Sequence, residues 1–216
     1  MKRAVLIVGL VAVLAAPAAP VAAQWLGEPV WNSPKGGTGL TISGDYGRPD
    51  SAYGKGNAWG GRASLGLGTL TLTAGVATWK PDGATESFTS YGGNVDMRLI
   101  GGSLLPVAIN VQVGAARTDS ANATPALTSV TGAAGISVPL PTPGFSIEPY
   151  FAPGIRYRSY SNAGNSTEFG YVIGANLGFG LLGVHLAYDN EKRKNLPSVG
   201  VFGVGAHVAI KLPLGM

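Results

Sequence analysis

The sequence predicts an all-β chain, folded as an up-and-down antiparallel transmembrane β-barrel of ten strands, with eight as the alternative count. Three observations carry that prediction. Apolar and polar residues alternate at a period of two along almost the whole chain beyond an apolar N-terminal segment, the mark of strands with two unlike faces. Only 12% of the residues are charged, about half the share of an ordinary soluble domain. Long polar connections alternate with tight links, as a chain threading back and forth through a slab requires.

The N-terminal segment is read first. Met1-Lys2-Arg3 is followed by "AVLIVGLVAVLAA" and closes on "PAAPVAAQ". A positive start, a short apolar run and the small residues Val21 and Ala23 at the cleavage positions make residues 1–23 a secretory signal peptide, cut between Ala23 and Gln24. Its removal takes Lys2 and Arg3 from a formal charge of +4 and leaves +2. No basic run interleaved with aromatics is present, so nucleic acid is not an expected partner. There is no cysteine, hence no disulfide and no thiolate metal site. Residues 24–37 are expected to be a periplasmic leader whose Trp25 and Trp31 anchor the start of the barrel at the interface. Residues 38–216 are expected to form the barrel.

Ten stretches supply the strands. "TGLTISGDY" sets Leu40, Ile42 and Tyr46 against Thr41, Ser43 and Asp45. "WGGRASLGL" sets Trp59, Ala63 and Leu65 against Arg62 and Ser64. "TLTLTAGVAT" sets Leu72, Ala74 and Val76 against Thr71 and Thr73. "YGGNVDMRLIGG" opposes Val95, Met97 and Leu99 to Asn94, Asp96 and Arg98. "VAINVQVGA" opposes Ile109 and Val111 to Asn110 and Gln112, and "VTGAAGISVPL" repeats the pattern weakly. "FSIEPYFAPGIRYR" places Phe151, Ile155 and Tyr157 against Glu148, Tyr150, Arg156 and Arg158. "FGYVIGANLGF", "LGVHLAYD" and "VFGVGAHVAIKL" complete the set. Long links such as "SYSNAGNST" and "NEKRKNLPS" are expected to be irregular loops, with "EKRKN" solvated.

The polar faces carry Asp45, Arg62, Asp96, Arg98, Glu148, Arg156, Arg158 and Lys211 at mid-strand, which suits a lumen where charges pair and meet water. The apolar faces carry Tyr46, Trp59, Tyr91, Tyr157, Phe169, Tyr171 and Tyr188 near the long-loop ends, as an aromatic belt at a lipid–water boundary would. Trp79 is out of phase with that belt, so it needs a bulge or an inward position. The strand lengths match a tilted bilayer crossing, and closure is then obligatory because an open edge in lipid leaves backbone groups unsatisfied.

With the signal peptide and the alternating strands, "LGLGTLTLTAGVA" and "VGVFGVGAHVAIKL" resemble the small outer-membrane β-barrel proteins of Gram-negative bacteria, the opacity-type and outer-membrane-protein-A-type barrels. The resemblance implies localisation in the outer membrane, contact with its lipids and lipopolysaccharide, and insertion by the barrel assembly machinery. The ending "KLPLGM" departs from the terminal aromatic residue of that family.

Little in the chain suggests chemistry. "GFGLLG" has glycines at the dinucleotide spacing but leads into a strand rather than a helix, so it is a turn. His185 and His207 share the polar phase of neighbouring strands, and a zinc site would need further ligands. No serine stands in sequence beside either histidine. The expectation is a non-enzymatic barrel without cofactor or metal, in a structural or surface-exposed role. A narrow passive channel for small solutes with weak anion preference is the alternative, and an outer-membrane enzyme a more distant one.

Overall fold

The computed structural model describes residues 25–102, 105–121, 125–161, 164–194 and 196–210. The expected signal peptide and Lys211 lie outside the described residues.

The strands are β1 (Thr38–Pro49), β2 (Asn57–Leu67), β3 (Leu70–Lys80), β4 (Phe88–Gly102), β5 (Leu105–Thr118), β6 (Leu127–Ser137), β7 (Leu140–Thr142), β8 (Phe145–Tyr160), β9 (Gly164–Phe179), β10 (Leu182–Arg193) and β11 (Leu196–Ile210). Each pairs antiparallel with its sequence neighbours, except that β6 and β7 both pair with β8 and not with each other. The first and last close on each other from Leu40↔Ile210 to Pro49↔Val201. β6 and β7 are two halves of one stave. Ser137↔Tyr150 and Leu140↔Ile147 stand in the same register on β8, and the Val138 N–H still donates to Pro149 O across the interruption. Pro139, which has no N–H for the ladder, sits at the break. The result is a closed barrel of ten staves, so no edge is left unpaired.

The tight ends follow from turn chemistry. Gly180 has φ +68° and occupies the first central position of the two-residue link between β9 and β10, where a type II′ turn needs a positive φ. Pro143-Gly144 joins β7 to β8 with proline and glycine in the order of a type II turn. At the opposite end the ladders run further than the sequence suggests. Pairing continues to Tyr160↔Gly164 and Arg193↔Leu196, so "SYSNAGNST" and "NEKRKNLPS" are mostly hairpin rather than irregular loop. Glu191, expected in a solvated cluster, is 3% exposed and faces inward.

The apolar phase points out. Ile42, Val76, Val95, Ile155, Ile173 and Val208 are exposed in mid-strand, while Asp45, Asp96, Glu148, Arg156 and Arg158 on the opposite phase are buried. An apolar exterior around a polar interior inverts the arrangement of a soluble domain and suits lipid outside.

The leader departs from expectation. Residues 24–37 were expected in the periplasm, with Trp25 and Trp31 at the membrane interface. From Trp25 onward the leader instead lies inside the barrel. Trp25 and Trp31 are 4% and 6% exposed and share a core with Val30, Ala77, Tyr150, Ala152, Val172 and Ala187. The leader turns at Trp25–Glu28, where the Glu28 N–H donates to Trp25 O at 3.1 Å and Gly27 supplies φ +84°. It then runs down the lumen from the long-loop end to the short turns, where Gly37 O accepts from the Gly68 N–H. The physical reason is the wall. The inward positions facing the leader are small, and a Cβ on Gly203 would stand 2.6 Å from Pro29 Cγ and 2.8 Å from Trp31 Cη2, and one on Gly75 2.9 Å from Trp25 Cζ2. Burial of the two ring systems stabilises the leader there, against the cost of two indole N–H groups that meet no hydrogen-bond partner among the described residues.

Candidate functional site

The site is the lumen, built from the inward phase of each stave. Asp45 on β1, Gly205 on β11 and His185 on β10 stand in one cross-strand row. Because Gly205 has no side chain, His185 leans across β11, and its Nε2 reaches Asp45 Oδ1 at 2.6 Å. Arg62 holds the same carboxylate from β2, with Nε to Oδ2 at 2.6 Å and Nη2 to Oδ1 at 3.0 Å. A carboxylate only accepts, so Nε2 of His185 carries a hydrogen in this contact. The 3.1 Å approach of Arg62 Nη2 to that nitrogen is then between two donors aimed at one acceptor. His185 Nδ1 and His207 Nδ1 stand 3.3 Å apart, within hydrogen-bond distance. Trp31 of the leader stands edge-on to His185, ring centroids 4.6 Å apart, and under Arg62 at 5.1 Å.

A second charged row uses the same device. Arg156 on β8 passes over Gly170 of β9, whose Cβ would lie 3.1 Å from Cζ, and reaches Asp189 on β10 at 2.9 Å. Arg158 pairs with Glu191. Asp189 also accepts the Val30 N–H of the leader at 2.9 Å. Towards the short turns, Glu148 accepts from Lys35 N at 2.8 Å, Ser137 Oγ at 2.8 Å and Asn176 Nδ2 at 3.2 Å. Asp96 accepts from Asn110, and Arg98 donates to Lys35 O at 2.7 Å.

Glu28, outside the spanning strands, is the exception. Among the described residues neither carboxyl oxygen meets a hydrogen-bond partner, and burial, helped by nearby Asp45, pushes its pKa up to about 9 against the pull of Arg62. It is a neutral acid in the plug.

Of the charges assigned to the lumen, Asp45, Arg62, Asp96, Arg98, Glu148, Arg156 and Arg158 all lie on the inward phase, in three groups rather than one. Trp59, Tyr91, Tyr157, Phe169 and Tyr188 stand exposed on the outer face, with Tyr46 against Trp59 at 4.7 Å and Tyr171 half-buried beside Phe151. Trp79 takes the inward position without a bulge. It donates from Nε1 to Lys55 O at 2.9 Å and stacks with Phe88 at 5.5 Å, closing the long-loop end above Gly27. Glu28, Asn32 and Glu191 are lumen groups that the alternation alone does not mark, although the inward phase extended past Asp189 reaches Glu191.

The chemistry available is limited. Among the described residues no three histidine, cysteine or carboxylate side chains converge at metal-ligand spacing. Ser43 stands opposite His207 in the ladder but makes no hydrogen bond to either ring among the described residues.

No protein-family model and no curated protein matches the sequence. Solved structures do resemble it. The β domain of the Bordetella autotransporter BrkA is 14% identical over 80% of this chain and 99% of that chain, with a TM-score of 0.51. The chain has the fold of an outer-membrane β-barrel. The outer membrane enzyme PagL (12% identity, 79% and 99% coverage, TM-score 0.46) and the N-terminal β-barrel domain of Pseudomonas aeruginosa OprF (11%, 81% and 99%, 0.38) are also similar. At such identities the likeness is one of fold alone.

Proposed function

We propose that the chain is an integral outer-membrane β-barrel, exported by a cleaved signal peptide and closed by its own leader, with a structural or surface-exposed role and no catalysis. One observation carries this reading: residues 25–37 occupy the lumen and pack a core of Trp25, Val30 and Trp31 against the wall. Arg62, Arg156 and Arg158 support it, because each is paired with a carboxylate of the wall rather than lining an open path. Lipids and lipopolysaccharide are the partners such an exterior would meet.

The test is conductance of the refolded chain in a planar bilayer, after a gel-mobility shift between heated and unheated samples has established folding. The reading expects insertion without steady current, and steady openings once residues 25–35 are deleted. Steady current through the full chain would replace it with a narrow passive channel. Sedimentation away from the outer membrane would overturn the localisation.

A further inference from the structure

Below the leader's core, the short-turn half of the lumen encloses a cavity of about 360 Å³, within the size range of small-molecule sites. Its lining reaches Gly37, Gly66 and Gly178 at the strand ends, so it opens on the short-turn side and is closed above by Trp31. Most of the charges inside it are committed. Arg62 and His185 are held by Asp45, Glu148 by Lys35 N, Ser137 and Asn176, and Asp96 by Asn110.

Besides Asp96 Oδ1 and the exposed Lys35 side chain at the mouth, what remains uncommitted among the described residues is neutral. Thr41, Ser64, Thr73 and Asn94 form one row across four neighbouring staves, paired Thr41↔Ser64, Ser64↔Thr73 and Thr73↔Asn94. The row is about 14 Å long at the usual strand spacing. Ser64 and Thr73 share a hydrogen bond of 2.8 Å, which satisfies one hydroxyl hydrogen and leaves the other to turn outward. Among the described residues Asn94 Oδ1 has no hydrogen-bond partner.

We infer that this cavity binds a small neutral polyhydroxylated molecule of monosaccharide size, admitted from the short-turn side. A hydroxyl both donates and accepts, so a molecule with several of them matches a row of hydroxyls ending in an amide. A charged ligand would lose its hydration without gaining a free counter-charge in the interior. The inference goes beyond the closed-barrel reading and does not depend on whether the upper half conducts.

Saturation-transfer NMR on the full chain, refolded in a detergent without a sugar head group, tests it with D-glucose, myo-inositol and glycerol as probes. Transfer to glucose or inositol is expected. Thr73→Val and Asn94→Leu should each weaken it about five- to tenfold, the worth of one buried hydrogen bond. Thr73→Ser, which keeps the hydroxyl, should retain binding, and the mobility shift shows that each variant folds. Absence of transfer to all three probes, equal transfer in the valine and leucine variants, or displacement of the sugar by millimolar inorganic phosphate would each overturn the inference.

Discussion

Trp31→Ala distinguishes a lumen plug from a leader at the membrane surface. In the lumen Trp31 is 6% exposed, with His185 against its edge at 4.6 Å and Arg62 over its face at 5.1 Å. Its outer edge lies over Gly203, where a Cβ would stand 2.8 Å from Cη2. The ring is enclosed by rigid wall, so the space left by truncation cannot collapse. Removal of a buried tryptophan of this kind costs about 3–5 kcal/mol. For a chain of this size that is roughly 6–20 °C in the unfolding midpoint. The assay is the temperature at which the unheated gel band converts to the heated one. Trp59→Ala is the control, because that ring is 65% exposed on the outer face and should cost under about 1 kcal/mol in detergent. Equal midpoints for Trp31→Ala and Trp59→Ala would refute the placement of the leader.

Further outcomes follow from the wall and the plug. Gly205→Val would set a side chain where His185 crosses to Asp45 and should lower stability by about 1–3 kcal/mol. Adding His185→Ala should recover part of that loss, a coupling that a double-mutant cycle on the same gel assay would read. Glu28, with its pKa raised from 4.5 to about 9, binds a proton in the folded chain that the unfolded chain has released. Its contribution is therefore fully present below pH 4.5 and is lost as pH rises through 9. Glu28→Gln cannot ionise, so midpoints of the two proteins should converge at acid pH and separate towards alkaline pH, with the variant the more stable.

The strands were legible because two solvents act on them. Lipid outside and a polar lumen inside impose opposite demands on successive side chains, so Val95, Met97 and Leu99 separate from Asn94, Asp96 and Arg98 without reference to any other residue. The leader was not legible, because "QWLGEPVWNSPKGG" has no periodicity and docks by shape. Its trace lies in the wall instead: Gly60, Gly75, Gly203, Ala77, Ala152 and Ala187 fall on the inward phase, and small inward residues mark where other atoms fill a barrel. Pairing across two strands was hidden for a related reason. Arg156 and His185 each reach past an intervening glycine, a choice that neither alternation nor strand adjacency records.

The central claim is the position of the leader, and the absence of cysteine permits a direct measurement. In a chain carrying Pro29→Cys and Gly203→Cys, the Cβ at 203 would lie next to the atom one bond beyond the Cβ at 29, which brings the pair within reach of a disulfide. Pro29 Cγ already lies 2.6 Å from where the Gly203 Cβ would be. Mild oxidation of the membrane-embedded protein should give a cross-link on a non-reducing gel, while neither thiol reacts with a bulky maleimide beforehand. A chain that labels fully at position 29 and forms no cross-link would place the leader outside the barrel and contradict the account.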